Sequence, residues 1–336
     1  MGSGEFVNAH THLYSGLVPL GMPAPEPEPE NFVQILERIW WRVDRGIDAD
    51  ILRASARFYV TDARVHGTCG LIDHHESPNF IEGSLDVIAD ECEALAMPAV
   101  LCYGATERNF GREEAQRGLA ECKRFITSNT RKWIRGVVGL HASFTVSDET
   151  IRESAALARE LNTVLHIHVA EDQADVKDAV ERGYGGVIDR LQKLDAMVPG
   201  SIFAHGVHLT QAEVQACAEA RCWLVQNPRS NWGNKVGYPA HHGQSDLVAL
   251  GSDGFSSNMA IENRALKNLG KHEQPEHLAA RLPASRRLFS ELFGGDEVLT
   301  SSADVLNDEL SRDALTDVRK HAEQQAERLW QRMEQY

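Results

Sequence analysis

The sequence predicts an α/β protein built as a (β/α)8 TIM barrel with C-terminal helices, on three observations. Short β-branched or apolar runs alternate with longer stretches of helical period, the pattern of parallel βα units. Eight such runs can be counted, at residues 5–11, 68–73, 98–103, 134–140, 163–169, 201–205, 222–226 and 247–252. The chain has 336 residues, and barrels of this kind commonly occupy about 250 residues as one domain. An open doubly wound sheet shares the alternation, but eight strands with intervening helices favour closure.

In chain order, the opening MGSGEF has the small, flexible look of an expression scar, with natural sequence expected to resume near Val7. Strand one leads into His12, and GMPAPEPEPE at 21–30 follows as an acidic proline-rich loop. It is expected to be extended, because proline fixes φ and restricts its predecessor, and it reads as a solvated connector on the catalytic face. Phe32, Leu36, Ile39, Trp40 and Val43 recur at helical spacing, as do Ile151, Ala155, Leu157, Ala158 and Leu161. Gly183 suits the end of a helix beginning near Asp175, and Thr210 with Glu213 forms a capping box. LFGGDE at 292–297 reads as a turn or a join. Beyond it Leu306, Leu310, Leu315, Val318, Ala322, Leu329 and Met333 repeat among charges, as in one or two surface helices. The expected organisation is a scar at 1–6, a barrel at 7–294 and a helical extension at 295–336.

Composition narrows the function. A net charge of −15 argues against nucleic acid, whose phosphates need a basic face. No apolar run approaches the ~18 residues that span a bilayer, and no charged-then-apolar leader opens the chain, so a cytoplasmic protein with no membrane partner is expected. The six cysteines are scattered without a CxxC pair and read as reduced; Cys102 and Cys222 sit in apolar runs and read as core. No Walker loop, dinucleotide fingerprint or tandem repeat is present. The expected partner is a small-molecule substrate, with a homo-oligomer left open.

Chemistry is expected where polar residues close apolar runs, because barrel active sites are built from strand C-termini. NAHTH at 8–12 ends strand one, although 15 histidines in 336 residues would give about 0.7 His-x-His triplets by chance, so the pair needs context. HIHVAE ends strand five with His166, His168 and Glu171; FAHGVH ends strand six with His205; VALGSDG ends strand eight with Asp253. Alternate strand residues share a face, so His10 and His12 can both point inward. With His168 and Asp253 they offer three imidazoles and a carboxylate, a set suited to one divalent metal ion, zinc first and iron also, with room for a water. His74, His75 and Glu76 end strand two, and His74 is the one expected to reach the substrate pocket. His166 reads as packing behind His168. Asn227 and Ser230 are expected to shape the loop after strand seven. His208, His241, His242, His272, His277 and His321 lie in polar contexts and read as solvent-exposed.

VNAHTHL, HIHVAE, AHGVHL, NPRSN and GSDGFSSN, in that order, resemble the successive signatures of the amidohydrolase superfamily, in its branch of cytosine-deaminase-like and chlorohydrolase-like aminohydrolases. SGLVPLGMPAP and LIDHHESPNFIEGSLD further resemble the aminohydrolases called SsnA, associated with selenium metabolism. The resemblance implies hydrolytic deamination of an amino-substituted nitrogen heterocycle by metal-activated water. Halide displacement or cyclic-amide hydrolysis in the same site is the alternative. It makes His10, His12, His168 and Asp253 the metal ligands, Glu171 and Asp253 the groups that move protons, and His205 the contact to the attacking water or developing oxyanion. His141, in HASFTVS, matches the branch's substrate-contacting HAPYT stretch. GLHASF at the end of strand four offers no lysine, so the carbamylated-lysine bridge of binuclear members is not supported and a mononuclear site is implied. Most relatives carry a β-sandwich flanking the barrel; its strands are not apparent here, which suggests an engineered or truncated barrel and raises a metal-binding scaffold with little activity as a second reading.

Overall fold

The computed structural model describes residues 6–299 and 312–336. Most of the scar-like opening, together with Leu306 and Leu310 of the C-terminal pattern, lies outside the described residues, as does the side chain of Leu315. Eight parallel strands follow one another around the sheet: β1 (Phe6–Thr11), β2 (Thr68–His75), β3 (Ala99–Ala105), β4 (Val138–Ala142), β5 (Leu165–Val169), β6 (Ile202–His205), β7 (Trp223–Gln226) and β8 (Val248–Leu250). Each pairs with the next, and helices fill the intervals. The seam between β1 and β8 is joined at its C-terminal end, where the amides of Ser252 and Asp253 both donate to the His10 carbonyl at 3.0 Å. The result is the expected barrel, nearly closed.

Strand four departs from its predicted span. Ile134–Gly136 pairs with the first half of β3, and after a break at Val137 the chain resumes as β4 against the end of β3. The close approach there requires glycine: a Cβ on Gly139 would stand 2.3 Å from the Tyr103 carbonyl oxygen.

Helix boundaries follow the local signals. Ser147 caps Asp148–Glu160 by accepting from the Thr150 amide, and Thr210 with Glu213 forms the predicted capping box on Gln211–Glu219. Gly183 ends the helix Gln173–Glu181 with φ +91°, and Gly294 ends Pro275–Phe293 with φ +80°, so LFGGDE begins as a left-handed helix stop. The helix predicted from Phe32 is interrupted. A π turn, Leu36–Trp40, separates Phe32–Ile35 from Trp41–Gly46 and shifts the phase of the apolar face. The proline-rich loop before it is mostly exposed, with the Arg38 guanidinium bonded to the carbonyls of Pro27 and Glu28 at 3.1 and 2.8 Å.

The C-terminal helix, Arg312–Met333, is more than a surface element. Ala322, Ala326, Leu329 and Met333 are buried in one core cluster with Val43, Ile47, Tyr59 and Val60, and the helix packs on Ala49–Val65. Burial of that stripe supplies hydrophobic stabilisation that its charged exposed face conceals in the sequence. All six cysteines are buried and unpaired, as expected. No helix among the described residues is long and apolar enough to cross a membrane.

One buried cation fixes the segment that follows β4. Arg190 is fully buried and donates to the carbonyls of Ser143 and Val146 at 2.7 and 3.0 Å, while meeting the carboxylates of Asp148 and Asp178 at 2.9 and 3.3 Å. Replacing it strands those acceptors without a donor. Arg190→Met is therefore expected to lower the free energy of unfolding by about 3 kcal/mol, read from urea denaturation; an unchanged midpoint would contradict this role.

Candidate active site

The strand ends bring together the six groups expected to carry the chemistry. His12 Nε2 lies 2.9 Å from Asp253 Oδ1 and 3.3 Å from His168 Nε2. His10 Nε2 stands 3.3 Å from the same carboxylate oxygen. Ligand atoms of His10, His168, His205 and Asp253 all lie within 4.8 Å of one another. Glu171 borders the cluster, its Oε2 3.5 Å from His205 Nε2. Two of the six residues adopt backbone conformations that L-residues rarely take, His205 at φ +74° and Asp253 at φ +55°, and such strain persists only where surrounding contacts fix it.

Orientation of the rings follows from what each Nδ1 touches. His12 Nδ1 donates to the His74 carbonyl at 2.5 Å and His168 Nδ1 to the His141 carbonyl at 2.6 Å. His205 Nδ1 donates to Asn231 Oδ1 at 2.8 Å. In each case Nδ1 carries a proton and Nε2 faces the centre, the orientation that metal-ligating histidines need. The carboxylates are anchored likewise. Ser230 Oγ donates to Asp253 Oδ2, and Asn234 Nδ2 donates to Glu171 Oε1 at 3.2 Å, leaving Asp253 Oδ1 and Glu171 Oε2 turned inward.

Electrostatics match this picture. Burial lowers the pKa of His10 to about 3, against the pull of Asp253, and also holds His168 well below its usual value, so both rings are neutral donors. At His12 burial is outweighed by the hydrogen bond and charge of Asp253 and by Glu76 and Asp73, which push its pKa up to about 9. The centre thus draws positive charge to the position between His12 and Asp253. His10 Nε2 and His205 Nε2 are buried with no hydrogen-bond partner in the protein. Unpaired inward nitrogens beside a carboxylate fit a divalent cation, and the clustered ligand atoms of His10, His168, His205 and Asp253, with His12 Nε2 2.9 Å from the same carboxylate, are the donors that could hold it. β4, with the sequence VGLHA, contributes no lysine.

A pocket opens over these groups. Phe32, Leu36, Trp40 and Trp41 form one wall, His141, Phe144 and Glu76 line it too, and Glu171, Asn234 and Asp253 complete it. His141 is placed as expected, its Nδ1 bonded to Thr145 Oγ1 at 2.9 Å. His74 is not: it is fully buried beneath the pocket, with Nε2 donating to the Leu140 carbonyl at 2.9 Å and Nδ1 3.0 Å from Glu76 Oε1. Glu76 takes the pocket-lining place instead, because two residues further along the chain has left the strand and turned over the barrel mouth. Burial would raise the Glu76 pKa, but the rings of His141, His74 and His12 hold it below the usual carboxylate range. His242 is also misplaced by the sequence reading: it is fully buried against Gly206, where a Cβ would stand 2.9 Å from its Nε2. None of residues 21–30 lines the pocket.

The polar residues that sequence reasoning missed, Asn231 and Asn234, share the turn of helix that carries Ser230. Their signal was the NPRSNWGN run itself, whose Ser230 and Asn234 are spaced four apart on one helical face.

The sequence matches the amidohydrolase family over residues 6–281. It is 26% identical over 264 residues to a 5′-deoxyadenosine deaminase of Methanosphaera stadtmanae, covering 76% of this chain and 59% of that protein. Against an 8-oxoguanine deaminase of Pseudomonas aeruginosa it is 25% identical over 271 residues, covering 76% and 60%. The chain therefore spans about three-fifths of the length of these relatives. Its fold is similar to a crystal structure of an adenosine deaminase from Xanthomonas campestris with bound zinc, at a TM-score of 0.69 and 23% identity, covering 89% of this chain and 67% of that one.

The donor set generates a direct test. Purified protein loaded with zinc is expected to retain about one equivalent by elemental analysis, and His10→Ala or Asp253→Ala to lose it. Equal retention by both variants would show that the ion sits elsewhere.

Proposed function

The chain belongs to the amidohydrolase family, and from that membership we propose that it is a metal-dependent aminohydrolase that releases ammonia from an amino-substituted nitrogen heterocycle. The observation that carries this reading is the convergence of Nε2 of His10 and His12 on Asp253 Oδ1, with His168 Nε2 3.3 Å from that of His12 and with Glu171 and His205 beside them. The two relatives are named for deaminating 5′-deoxyadenosine and 8-oxoguanine. A flat ring of that kind suits a pocket walled by Phe32, Trp40, Trp41 and Phe144.

His10, His12, His168 and Asp253 would hold a divalent ion, zinc first and iron second, which when bound would lower the pKa of water toward neutrality. The remaining work falls to the side chains. His205 presents a lone pair at Nε2 because its Nδ1 proton is committed to Asn231, so it accepts a proton from the attacking water. Flanked by Glu171 and Asp253, at 3.5 and 4.0 Å, the resulting imidazolium is stabilised and donates to the oxygen on which charge develops. Burial, reinforced by Asp253 and opposed by His205, raises the Glu171 pKa to about 7. A carboxyl of that acidity can carry a proton near neutral pH: Glu171 gives it to the ring nitrogen, regains a second from the His205 imidazolium 3.5 Å away, passes that one to the departing amine, and recovers its own from the hydroxyl that becomes the product carbonyl.

Ammonia release from a panel of aminopurines, aminopyrimidines and aminotriazines tests the proposal. Glu171→Gln is expected to lower kcat by about a hundred- to ten-thousand-fold while retaining the metal, since Glu171 is not among the donors. A metal-loaded protein that releases chloride from chlorinated triazines but no ammonia would reassign the chemistry to halide displacement. Silence in both assays would leave a metal-binding barrel without this activity.

A further inference from the structure

His10 differs from the other inward-facing histidines in what holds its outer nitrogen. His12 and His168 donate to backbone carbonyls, which only accept, so their tautomers are fixed. His10 Nδ1 instead lies 2.9 Å from His166 Nε2, an atom that can donate or accept. His166 Nδ1 in turn lies 3.6 Å from Cys102 Sγ, again able to do either, and Cys102 Sγ lies 3.5 Å from the Asp73 carbonyl oxygen. His10, His166, Cys102 and Asp73 are all fully buried, so the chain of contacts is closed off from solvent.

We propose that His166, backed by Cys102, is a positioning residue that decides which nitrogen of His10 carries the proton, and hence whether His10 can take a cation. This rests on the metal site proposed above. Two proton arrangements fit the contacts. In the first, Cys102 S–H donates to the Asp73 carbonyl, His166 Nδ1–H to Cys102 Sγ, and His10 Nδ1–H to His166 Nε2, leaving the His10 Nε2 lone pair free for a ligand bond. In the second the thiol changes acceptor and both imidazoles reverse: Cys102 S–H donates to His166 Nδ1, His166 Nε2–H to His10 Nδ1, and His10 Nε2–H points at Asp253 Oδ1, 3.3 Å away. Both arrangements hold the same number of protons, and nothing is oxidised or reduced between them. The first ends on a carbonyl, a group that accepts only, and it alone is compatible with a bound cation. Loading the site therefore selects it and turns both tautomers together.

The test is made on the full chain with zinc as the probe. Long-range proton–nitrogen spectra of histidine-labelled protein are expected to show His10 and His166 both protonated at Nδ1 in the zinc-loaded state. His166→Leu, which removes the acceptor, is expected to weaken zinc binding about 10- to 100-fold in competition with a chelator. His166→Gln, whose amide oxygen can replace the ring nitrogen as acceptor, is expected to recover most of that loss. Cys102→Ala, the variant that disturbs packing least, is expected to weaken zinc several-fold and to return His166 toward the Nε2 tautomer. Undiminished affinity in His166→Leu, or an Nε2-protonated His166 in loaded parent protein, overturns the positioning role alone. A parent protein that takes up no zinc overturns the metal site, and the positioning role with it.

Discussion

The barrel seam between β1 and β8 is the constraint on which the site depends. One carbonyl, that of His10, accepts the amides of both Ser252 and Asp253, and Thr11 Oγ1 donates to the Asp253 carbonyl at 3.1 Å. Asn8 locks the same seam from the other side: its Oδ1 accepts the Ser252 amide at 3.0 Å, and its Nδ2 donates to the hydroxyls of Ser252 and Ser257 at 2.7 and 3.1 Å. These bonds join residues almost 250 positions apart in sequence and force Asp253 into a left-handed conformation, at a cost of about 1–3 kcal/mol. That conformation sets the carboxylate against His10 and His12. The asparagine and the two histidines of NAHTH are thus one device, the first residue closing the barrel and the others using the closure.

Once closed, the site holds opposed electrostatic demands. Burial drives His10 and His168 toward neutrality, while Asp253, Glu76 and Asp73 leave negative charge that raises His12. A buried carboxylate cluster with neutral imidazoles around it is costly unless positive charge is supplied. A bound cation would satisfy both demands, because the neutral nitrogens of His10 and His168 could donate to it and its charge would offset the carboxylate. The outer hydrogen bonds from Ser230 and Asn234 then matter for aim: each occupies the carboxylate oxygen that is not needed at the centre.

How much of this was legible in the sequence depended on how local the determining physics is. Seven of the strands, the cap at Thr210 and the stop at Gly183 are set by residues near them in the chain, and they were readable; the break in strand four at Val137 was not. So were His10, His12, His168, Glu171, His205 and Asp253, because the end of a strand in a barrel has a known destination. The choice between His74 and Glu76 was not readable, since it depends on where β2 stops pairing with β3, and pairing continues through His75. Burial of His242 depends on a loop packing under Gly206, a contact across the fold that polar neighbours in sequence disguise. The π turn at Leu36–Trp40 has no composition of its own, as its residues read as ordinary helix.

The least legible element is also the one that shapes the pocket. The aromatic wall runs from Phe32 to Trp41, and it is held from outside the barrel by the C-terminal helix. Arg42 donates to the Met333 carbonyl at 2.8 Å, Arg332 donates to the Gly46 carbonyl at 2.6 Å, and Leu329 packs so close to Gly46 that a Cβ there would stand 2.7 Å away. From inside, Asp44 meets Arg108 at 2.7 Å, and the Arg108 guanidinium lies over the Trp41 ring. The wall is therefore clamped between a helix more than 280 residues distant in sequence and the loop after β3. The strand ends that carry the chemistry are tied to the barrel seam and have little freedom to vary. The aromatic wall of the pocket is tied to peripheral packing, which is separate from the seam. The side chains that clamp the aromatic wall from outside, Arg42, Leu329 and Arg332, are thus separate from the pocket lining, which the wall shares with His12, His168 and Asp253.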